Sequence, residues 1–287
     1  MSGLGTSMLR GAVTSPFKRA GRPGATLPAG RAVLAPAPAA PGPLSAYRTL
    51  CGFTRTDTLP LTYPHVLGFP LAMRLMTARA FPLPVLGLVH TWIEISRHRP
   101  TGAAEPLGLT VYAERLTPHR RGTEVTVVTE ARLADELVWE SRSGYLSRHA
   151  TDAPPPSPAP DAPRDLPAVT EWRLPGDLGR RYGAVSGDRN PIHLHPLTAR
   201  LFGFPRHIAH GMWTVARCLA QAESGTAPGT AGSGTPSGGP APVRSVRAEF
   251  RAPVLLPATV AYAADGPDFQ VRAGSRVHLT GTLLREG

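Results

Sequence analysis

The chain has 287 residues, enough for one large domain or two of ordinary size, and 41% of them are hydrophobic, enough to form a buried core. Its 31 Lys and Arg residues against 20 Asp and Glu give a formal charge of +11, which by itself favours an acidic partner such as nucleic acid or anionic lipid. Lys18 is the only lysine and the arginines are scattered along the chain, so the charge reflects a general arginine bias and we expect no nucleic-acid binding.

The first part of the chain divides into an arm and a segment of domain size. Residues 1–42 are rich in Ala, Pro, Gly and Arg without a clear period, and we expect a disordered arm. In the segment 43–149, residues 66–76 are typical of an apolar helix. Runs rich in β-branched and aromatic residues predict strands at 88–96, 107–114, 124–131 and 137–146.

The second part repeats this order of elements. We expect a proline-rich linker at 150–167, a second segment at 168–287, and a flexible loop rich in Gly, Ser and Pro at 224–242. One helical face carries the apolar residues Met212, Val215, Ala216 and Leu219. Strands are predicted at 243–250, 259–264, 269–273 and 276–284. A helix followed by an antiparallel meander, present twice, indicates a duplicated α+β unit.

The most informative stretch, residues 182–199, reads YGAVSGDRNPIHLHPLTA. Its turn-forming centre, SGDRNP, should end one helix, and Pro196 suits the first turn of another. Asp188, Asn190 and His193 then lie in a loop anchored at both ends, which can present an acid and an imidazole at a fixed separation. The residues alone leave a plainer alternative open, in which the acid and the amide satisfy backbone donors in an Asx turn and the histidine is an ordinary surface residue.

This stretch resembles the signature of the MaoC-like family, the hydratase-2 type of (R)-specific enoyl-thioester hydratases and 3-hydroxyacyl-thioester dehydratases. The family pattern is present as Tyr182, Ser186, Gly187, Asp188, Asn190, Pro191, His193 and Ala199. A second family run is present as Phe202, Gly203 and Ala209-His210-Gly211-Met212. The motifs LPLTYPHVLGFP and HRRGTEV of the first segment resemble the amino-terminal half of two-repeat actinobacterial members, so the resemblance covers roughly residues 47–284.

The resemblance implies a double hotdog, an α+β fold in which each antiparallel sheet wraps one central helix. It implies that Asp188 and His193 are the catalytic pair, which supplies the general acid and the general base without an assignment of which does which. Asn190 would orient water or hold the loop, and Ser186 is placed with the substrate-binding residues. Acid, base and enolate donor would all come from the protein, so we expect no metal or other cofactor.

Gly211 is the expected donor to the thioester enolate. It lies at the predicted start of the central helix, where backbone N–H groups are free and the helix dipole is positive. By resemblance its N–H is the oxyanion donor, although a glycine here can also simply ease the turn into the helix. His210 is expected to support the loop from behind, with no catalytic role.

The first segment lacks the signature. When its Tyr47 and Gly52 are aligned with the tyrosine and glycine of the signature, Phe53 stands in place of the aspartate and Thr58 in place of the histidine. We therefore expect one active site per chain, with the first half as scaffold. Its apolar helix can wall a channel for the acyl tail, or its residues can simply be core.

The predicted partner is an acyl thioester of coenzyme A or of an acyl carrier protein. Two arginine groups can meet its phosphates or acidic residues, Arg120 and Arg121 in one, and Arg244, Arg247 and Arg251 in the other. Solvated surface charge is the plainer interpretation of both. One chain already contains two repeats, so we expect a monomer with an internal pseudo-dimer or a homodimer.

The sequence thus predicts a lyase that hydrates and dehydrates (3R)-hydroxyacyl and trans-2-enoyl thioesters in fatty-acid or related lipid or polyketide metabolism. A thioesterase on the same fold and a non-catalytic acyl-thioester binding subunit are the alternatives. No run approaches the roughly 18 apolar residues of a membrane span, and no secretory signal is apparent. Cys51 and Cys218 have no disulfide-like or metal-like spacing, which favours a cytoplasmic location.

Overall fold

The computed structural model describes residues 24–151, 164–225 and 240–286, together with Lys18 and Gly21. Most of the predicted linker at 150–167 and most of the predicted loop at 224–242 lie outside these ranges. Among the helices that are described, none is long and apolar enough to cross a membrane.

Each half of the chain contributes five strands and one long helix. The first half consists of β1 (Ala32–Ala37), α1 (Pro41–Cys51), α2 (Tyr63–Thr77), β2 (Val89–Arg97), β3 (Leu107–His119), β4 (Gly122–Leu133) and β5 (Glu136–Arg148). The second half consists of β6 (Ala168–Leu174), α3 (Leu178–Ser186), α4 (Pro191–Leu194), α5 (Pro196–Arg200), α6 (Gly211–Glu223), β7 (Val243–Phe250), β8 (Ala258–Asp265), β9 (Asp268–Ala273) and β10 (Arg276–Arg285).

The ten strands form one continuous sheet in the order β1-β3-β4-β5-β2-β7-β10-β9-β8-β6. Read from either edge to the centre, the two halves have the same strand order, because β6 to β10 take the places of β1 to β5. The halves join where β2 and β7 pair antiparallel, from Trp92 opposite Glu249 to Ser96 opposite Ser245. This internal repeat, with a central helix in each half, is the double hotdog, and the predicted fold class is confirmed.

The central helices α2 and α6 lie in the core. The predicted helical face in the second half is confirmed, since Met212, Val215, Ala216 and Leu219 are all buried in α6. Helix α2 is apolar on most of its circumference, as a helix packed between a sheet and other core elements requires. It packs against β1, β3 and β4.

The structure corrects the prediction of a disordered arm over residues 1–42. Its last third is ordered: Ala32–Ala37 forms edge strand β1 against β3, and α1 begins at Pro41. Proline is tolerated in β1 because an edge strand leaves one side of its backbone unpaired, and at the first position of a helix because no hydrogen bond is lost there. The same prolines made the segment resemble a low-complexity arm. Residues 1–17 lie outside the described part of the chain.

Candidate active site

The loop after α3 is closed by a chain of short-range hydrogen bonds. Gly187 ends the helix in the left-handed region, with φ 78°. The Ser186 hydroxyl donates to the carbonyl of Tyr182 at 2.8 Å and accepts from the Asp188 N–H at 3.2 Å. Asp188 Oδ1 then accepts from the N–H of Asn190 at 3.1 Å. The Ser186 hydroxyl thus helps to hold Asp188 in place, and Ser186 also lines the cavity, so its placement among the substrate-binding residues stays a prediction.

The backbone-capping alternative describes only part of this loop. Asp188 and Asn190 both cap backbone donors, since Asn190 Oδ1 accepts from the N–H of Ile192 at 3.3 Å and begins α4. Asp188 uses one carboxylate oxygen for this, and its side chain is 26% exposed. His193 in α4 is buried rather than on the surface, and both side chains line the same cavity.

His193 is held in a defined tautomer. Its Nδ1 lies 2.8 Å from the carbonyl oxygen of Ile208, and a carbonyl can only accept, so Nδ1 carries the proton. Burial lowers the pKa of His193, with the carboxylate of Asp188 acting in the opposite direction. The neutral ring therefore has its Nε2 free to accept a proton at physiological pH.

Asp188 has the opposite pKa shift. Burial raises the pKa of Asp188, while nearby His193 and the N–H of Asn190 partly counteract the rise. A general acid or base acts best when its pKa lies near the working pH, so the raised pKa of Asp188 favours proton transfer by this carboxyl.

His210 supports the loop from behind. Its ring stacks on that of His193 with centroids 3.7 Å apart, and its Nε2 donates to the backbone carbonyl of Asp188 at 2.9 Å. The ring is 2% exposed, and burial lowers its pKa well below the usual range, so it is neutral. These contacts fix the loop to the start of α6, in agreement with a supporting role.

The three side chains also place donor atoms within 4.8 Å of one another, a spacing that could suit a metal ion. In His193 and in His210 one ring nitrogen already donates to a backbone carbonyl. Each neutral ring therefore has one protonated nitrogen and one accepting nitrogen, an arrangement that is compatible with a metal ligand and, for His193, with proton transfer.

Gly211 is the first residue of α6 and lines the cavity, so unpaired first-turn N–H groups lie at its wall. A Cβ built on Gly211 would lie 2.6 Å from the ring of Phe250 on β7. The absence of a side chain is thus required for packing against Phe250, a reason that goes beyond easing a turn.

The cavity has a volume of about 540 Å³ and lies between the two halves. Its second-half wall includes Asp188, His193, Gly211 and Phe250, and its first-half wall includes residues of α2, β2 and β5. A cavity of this size and mixed lining is typical of a small-molecule site.

Comparisons with known proteins agree with this arrangement. Residues 159–283, which carry the loop, match the family described as MaoC like domain. The chain is 38% identical over 258 residues to 3-hydroxyacyl-thioester dehydratase X of Mycobacterium tuberculosis, and the alignment covers 86% of each chain. The chain belongs to the MaoC-like dehydratase family.

Solved structures of MaoC-like proteins share the whole fold. The crystal structure of HtdX of Mycobacterium tuberculosis matches with a TM-score of 0.72 at 34% identity, covering 88% of this chain and 99% of that chain. A MaoC-like dehydratase from Phytophthora capsici matches with a TM-score of 0.69 at 18% identity, covering 91% and 97%, and shows the fold alone.

In this MaoC-like chain, the loop of the first half has the same backbone but a different content. Gly52 ends α1 with φ 85°, as Gly187 ends α3, and Tyr47 contacts Tyr182 with ring centroids 6.2 Å apart. Phe53 follows the glycine and is buried. The space beside it measures about 10 Å³, too small for a substrate.

The apolar helix α2 contributes to both the cavity wall and the core. Its Phe69, Met73 and Met76 line the cavity, whereas Leu71 and Leu75 belong to the core. Phe69, Met73 and Met76 form one strip along the helix because they are four and three residues apart.

Arginines from both halves reach the cavity. Arg121 lines it beside Arg148, which is adjacent because Gly122 pairs with Arg148 across β4 and β5. Burial and the neighbouring positive charges lower the pKa of Arg121. No carboxylate of the described residues lies within ion-pair distance of either arginine. In the other group, Arg251 lines the cavity but pairs with Glu249 at 2.6 Å.

Several cavity residues were missed by the sequence reasoning. His65, His90, Tyr145, Arg148 and Phe250 all line the cavity, and four of them come from the half without the signature. They converge only through the pairing of distant strands, so no local motif announces them. The motif LPLTYPHVLGFP contains His65, but nothing in its residue types marks that histidine as part of a cavity.

Proposed function

We propose that this chain reversibly hydrates trans-2-enoyl thioesters and dehydrates (3R)-hydroxyacyl thioesters. The observation that carries the proposal is the shared cavity of Asp188 and the unprotonated Nε2 of His193 at the start of α6. The name of the 3-hydroxyacyl-thioester dehydratase relative supports the same reaction. Fatty-acid or related lipid or polyketide metabolism is the setting that such substrates imply.

The chemistry needs one proton acceptor and one proton donor. Dehydration removes the C2 proton and breaks the bond between C3 and oxygen, and the departing hydroxyl takes up a proton to leave as water. The pair of Asp188 and His193 takes up the C2 proton and delivers one proton to the departing hydroxyl, so it ends with the proton count with which it began. Hydration runs the same steps in reverse.

The negative charge that develops on the thioester oxygen needs a donor, and the N–H of Gly211 fills this role in our proposal. The positive end of the α6 dipole adds to it, because the helix begins at the cavity. Removal of a single donor of this kind typically costs about 10²–10³-fold in rate.

The finer features of the partner are also proposals. Arg121 and Arg148 lie beside the cavity and have no ion-pair partner among the described residues, which supports an anionic carrier, either coenzyme A or an acyl carrier protein. Both repeats build one cavity, so a single chain can be complete without a second subunit. The two buried thiols, Cys51 and Cys218, fit a cytoplasmic enzyme.

The test offers the protein trans-2-enoyl-CoA esters of increasing chain length and follows the loss of conjugated thioester absorbance. Chiral analysis of the product and a free-thiol assay run in parallel. We expect (3R)-hydroxyacyl-CoA without thiol release. Thiol release would indicate a thioesterase, and affinity without turnover, on coenzyme A and on acyl-carrier substrates alike, would indicate a binding subunit.

A further inference from the structure

The first half contributes a polar patch to the cavity wall, formed by His65, His90 and Tyr145. The His90 ring stacks on Tyr145 with centroids 4.6 Å apart and an interplanar angle of 17°. The His65 ring lies 6.3 Å from that of His90 and nearly parallel to it. All three residues line the same cavity as the catalytic loop.

Two nitrogens of this patch have no partner. Nδ1 of His65 and Nε2 of His90 are buried and form no hydrogen bond within the part of the chain that the structure describes. A buried polar atom without a partner typically costs about 1–3 kcal/mol. Burial lowers the pKa to about 4 for His65 and to about 3 for His90, so both rings are neutral. The His90 ring already forms a hydrogen bond with the backbone of Trp92, which raises its pKa as a carbonyl acceptor does, so its unpaired Nε2 is the accepting nitrogen.

The backbone directs His90 into the cavity. The pairing of β2 with β5 shifts register between His90 and Trp92, which makes Thr91 an extra residue in the strand. Such a bulge redirects a side chain from one face of the sheet to the other. The Glu124 carboxylate holds the bulge, since it accepts from the Thr91 hydroxyl at 2.6 Å and from the Trp92 indole N–H at 2.9 Å.

The patch borders both the start of α6 and the apolar strip. The Phe250 ring contacts His90, with centroids 4.8 Å apart, and it also abuts Gly211. His65 lies on α2 four residues before Phe69, at the start of the strip of Phe69, Met73 and Met76. We therefore expect an acyl chain that runs from Gly211 to this strip to pass beside both histidines.

We propose that His65 and His90 form a subsite for an oxygen substituent, a hydroxyl or a keto group, that the acyl chain carries beyond C3. The inference rests on the proposed function, because it takes the thioester to be placed at Gly211. An all-hydrocarbon chain leaves both nitrogens unpaired. A hydroxyl at this depth can donate to Nε2 of His90, and a hydroxyl or keto oxygen can accept from Nδ1 of His65. The preferred substrates are then oxygenated acyl thioesters rather than plain fatty-acyl thioesters.

The experiment separates binding from turnover. Saturated acyl-CoA esters that cannot react, with and without a hydroxyl or keto group at successive carbons beyond C3, are titrated by calorimetry. We expect one position to bind about tenfold more tightly than the plain ester, the gain of about one buried hydrogen bond. The matched trans-2-enoyl esters should show the same preference in kcat/KM.

Variants connect the preference to the patch. His90→Phe keeps the stacked ring but removes both nitrogens and should abolish the preference, and His90→Gln should restore part of it. His65→Phe is an independent second variant, and thermal melting verifies the fold of each. His98→Phe is the matched control, because His98 follows β2 outside the cavity and pairs with Glu140 at 3.4 Å, so rate and preference should both persist.

Each outcome decides one question. Equal affinity for plain and oxygenated esters at every position overturns the subsite, as does a preference that survives His90→Phe and His65→Phe. If these variants bind plain and oxygenated esters more weakly by the same factor, the subsite is also overturned, because the patch then only shapes the cavity. Absence of turnover with the enoyl esters counts against the proposed function, whereas the calorimetric comparison still judges the subsite.

Discussion

The two halves contain the same helix–glycine turn, but only the turn of the second half borders a large cavity. In both, a helix with a buried tyrosine ends at a left-handed glycine, Gly187 in one and Gly52 in the other. In the second half an aspartate follows, and a cavity of about 540 Å³ opens beside it. In the first half Phe53 follows, and about 10 Å³ remains. The helix that ends at a left-handed glycine is therefore common to both halves. Whether a site can form there depends on the side chain after the glycine and on what fills the space beside it.

The space opposite Phe53 is used to join the halves. Arg97 on β2 is buried there, donates to the carbonyl of Val243 at 2.9 Å and pairs with Glu286 at 3.0 Å. Both partners belong to the second half. A buried arginine is tolerated only with such partners. In place of a second active site, the first half thus has a structural contact with the second half.

The largest effects are expected from substitutions of the two residues proposed for proton transfer. Asp188→Asn and His193→Gln should each lower turnover by about 10²–10⁴-fold, because each removes one partner of the proton transfer. Both variants keep side chains of similar size, so the fold should melt cooperatively. Spectrophotometric assay with the best enoyl ester measures the loss, and near wild-type rates in either variant would refute the catalytic pair.

The matched control is Phe53→Leu at the corresponding position of the first half. Its side chain is buried away from the cavity, so turnover should stay within about twofold, while stability falls by about 1 kcal/mol through imperfect repacking. Loss of turnover in a folded Phe53→Leu variant would contradict a single active site per chain.

Gly211→Ala is expected to have the next largest effect. The new methyl group would meet the Phe250 ring at 2.6 Å, and the ring would have to move into the cavity. Overpacking of this kind costs about 1–3 kcal/mol, and the displaced ring should also obstruct the substrate. Thermal melting and kcat/KM measure the two consequences.

Phe250→Leu in the Gly211→Ala background tests the cause. The smaller side chain should recover stability and most of the turnover, because the backbone N–H at position 211 remains in place. Recovery of stability without turnover would show that the geometry of the helix start, rather than space alone, is what Gly211 provides.

The sequence could predict the second half well because its signals are local. The loop from Ser186 to His193, its flanking helices and the strands that follow lie within short stretches of pattern and turn chemistry. Strand β1 was missed because its prolines hide an edge strand. His90 and Tyr145 were missed because a bulge and the pairing of β2 with β5 bring them to the cavity, and such pairing is not encoded in spacing along the chain.

A smaller effect concerns stability against pH. Burial raises the pKa of Asp188 above its unfolded value, so this residue favours the folded state most below the unfolded carboxyl pKa, and that contribution is lost as pH rises through the folded pKa. Asp188→Asn should therefore raise Tm at neutral pH, by no more than about 2–4 °C. The gain should vanish in acid. A Tm that falls at neutral pH would show that the charged carboxylate stabilises the loop.

The smallest effect is expected from the loop predicted at 224–242. Its two described ends lie together, since a Cβ on Gly225 would be 2.9 Å from the Pro240 ring, so two or three residues can replace residues 226–239. Neither end lines the cavity. Turnover should stay unchanged, and shortening the loop should raise stability by a few tenths of a kcal/mol to about 1 kcal/mol, because less chain entropy is lost on closure. A collapse of turnover with an unchanged Tm would mean that residues 226–239 contact the substrate, in addition to the loop that carries Asp188 and His193.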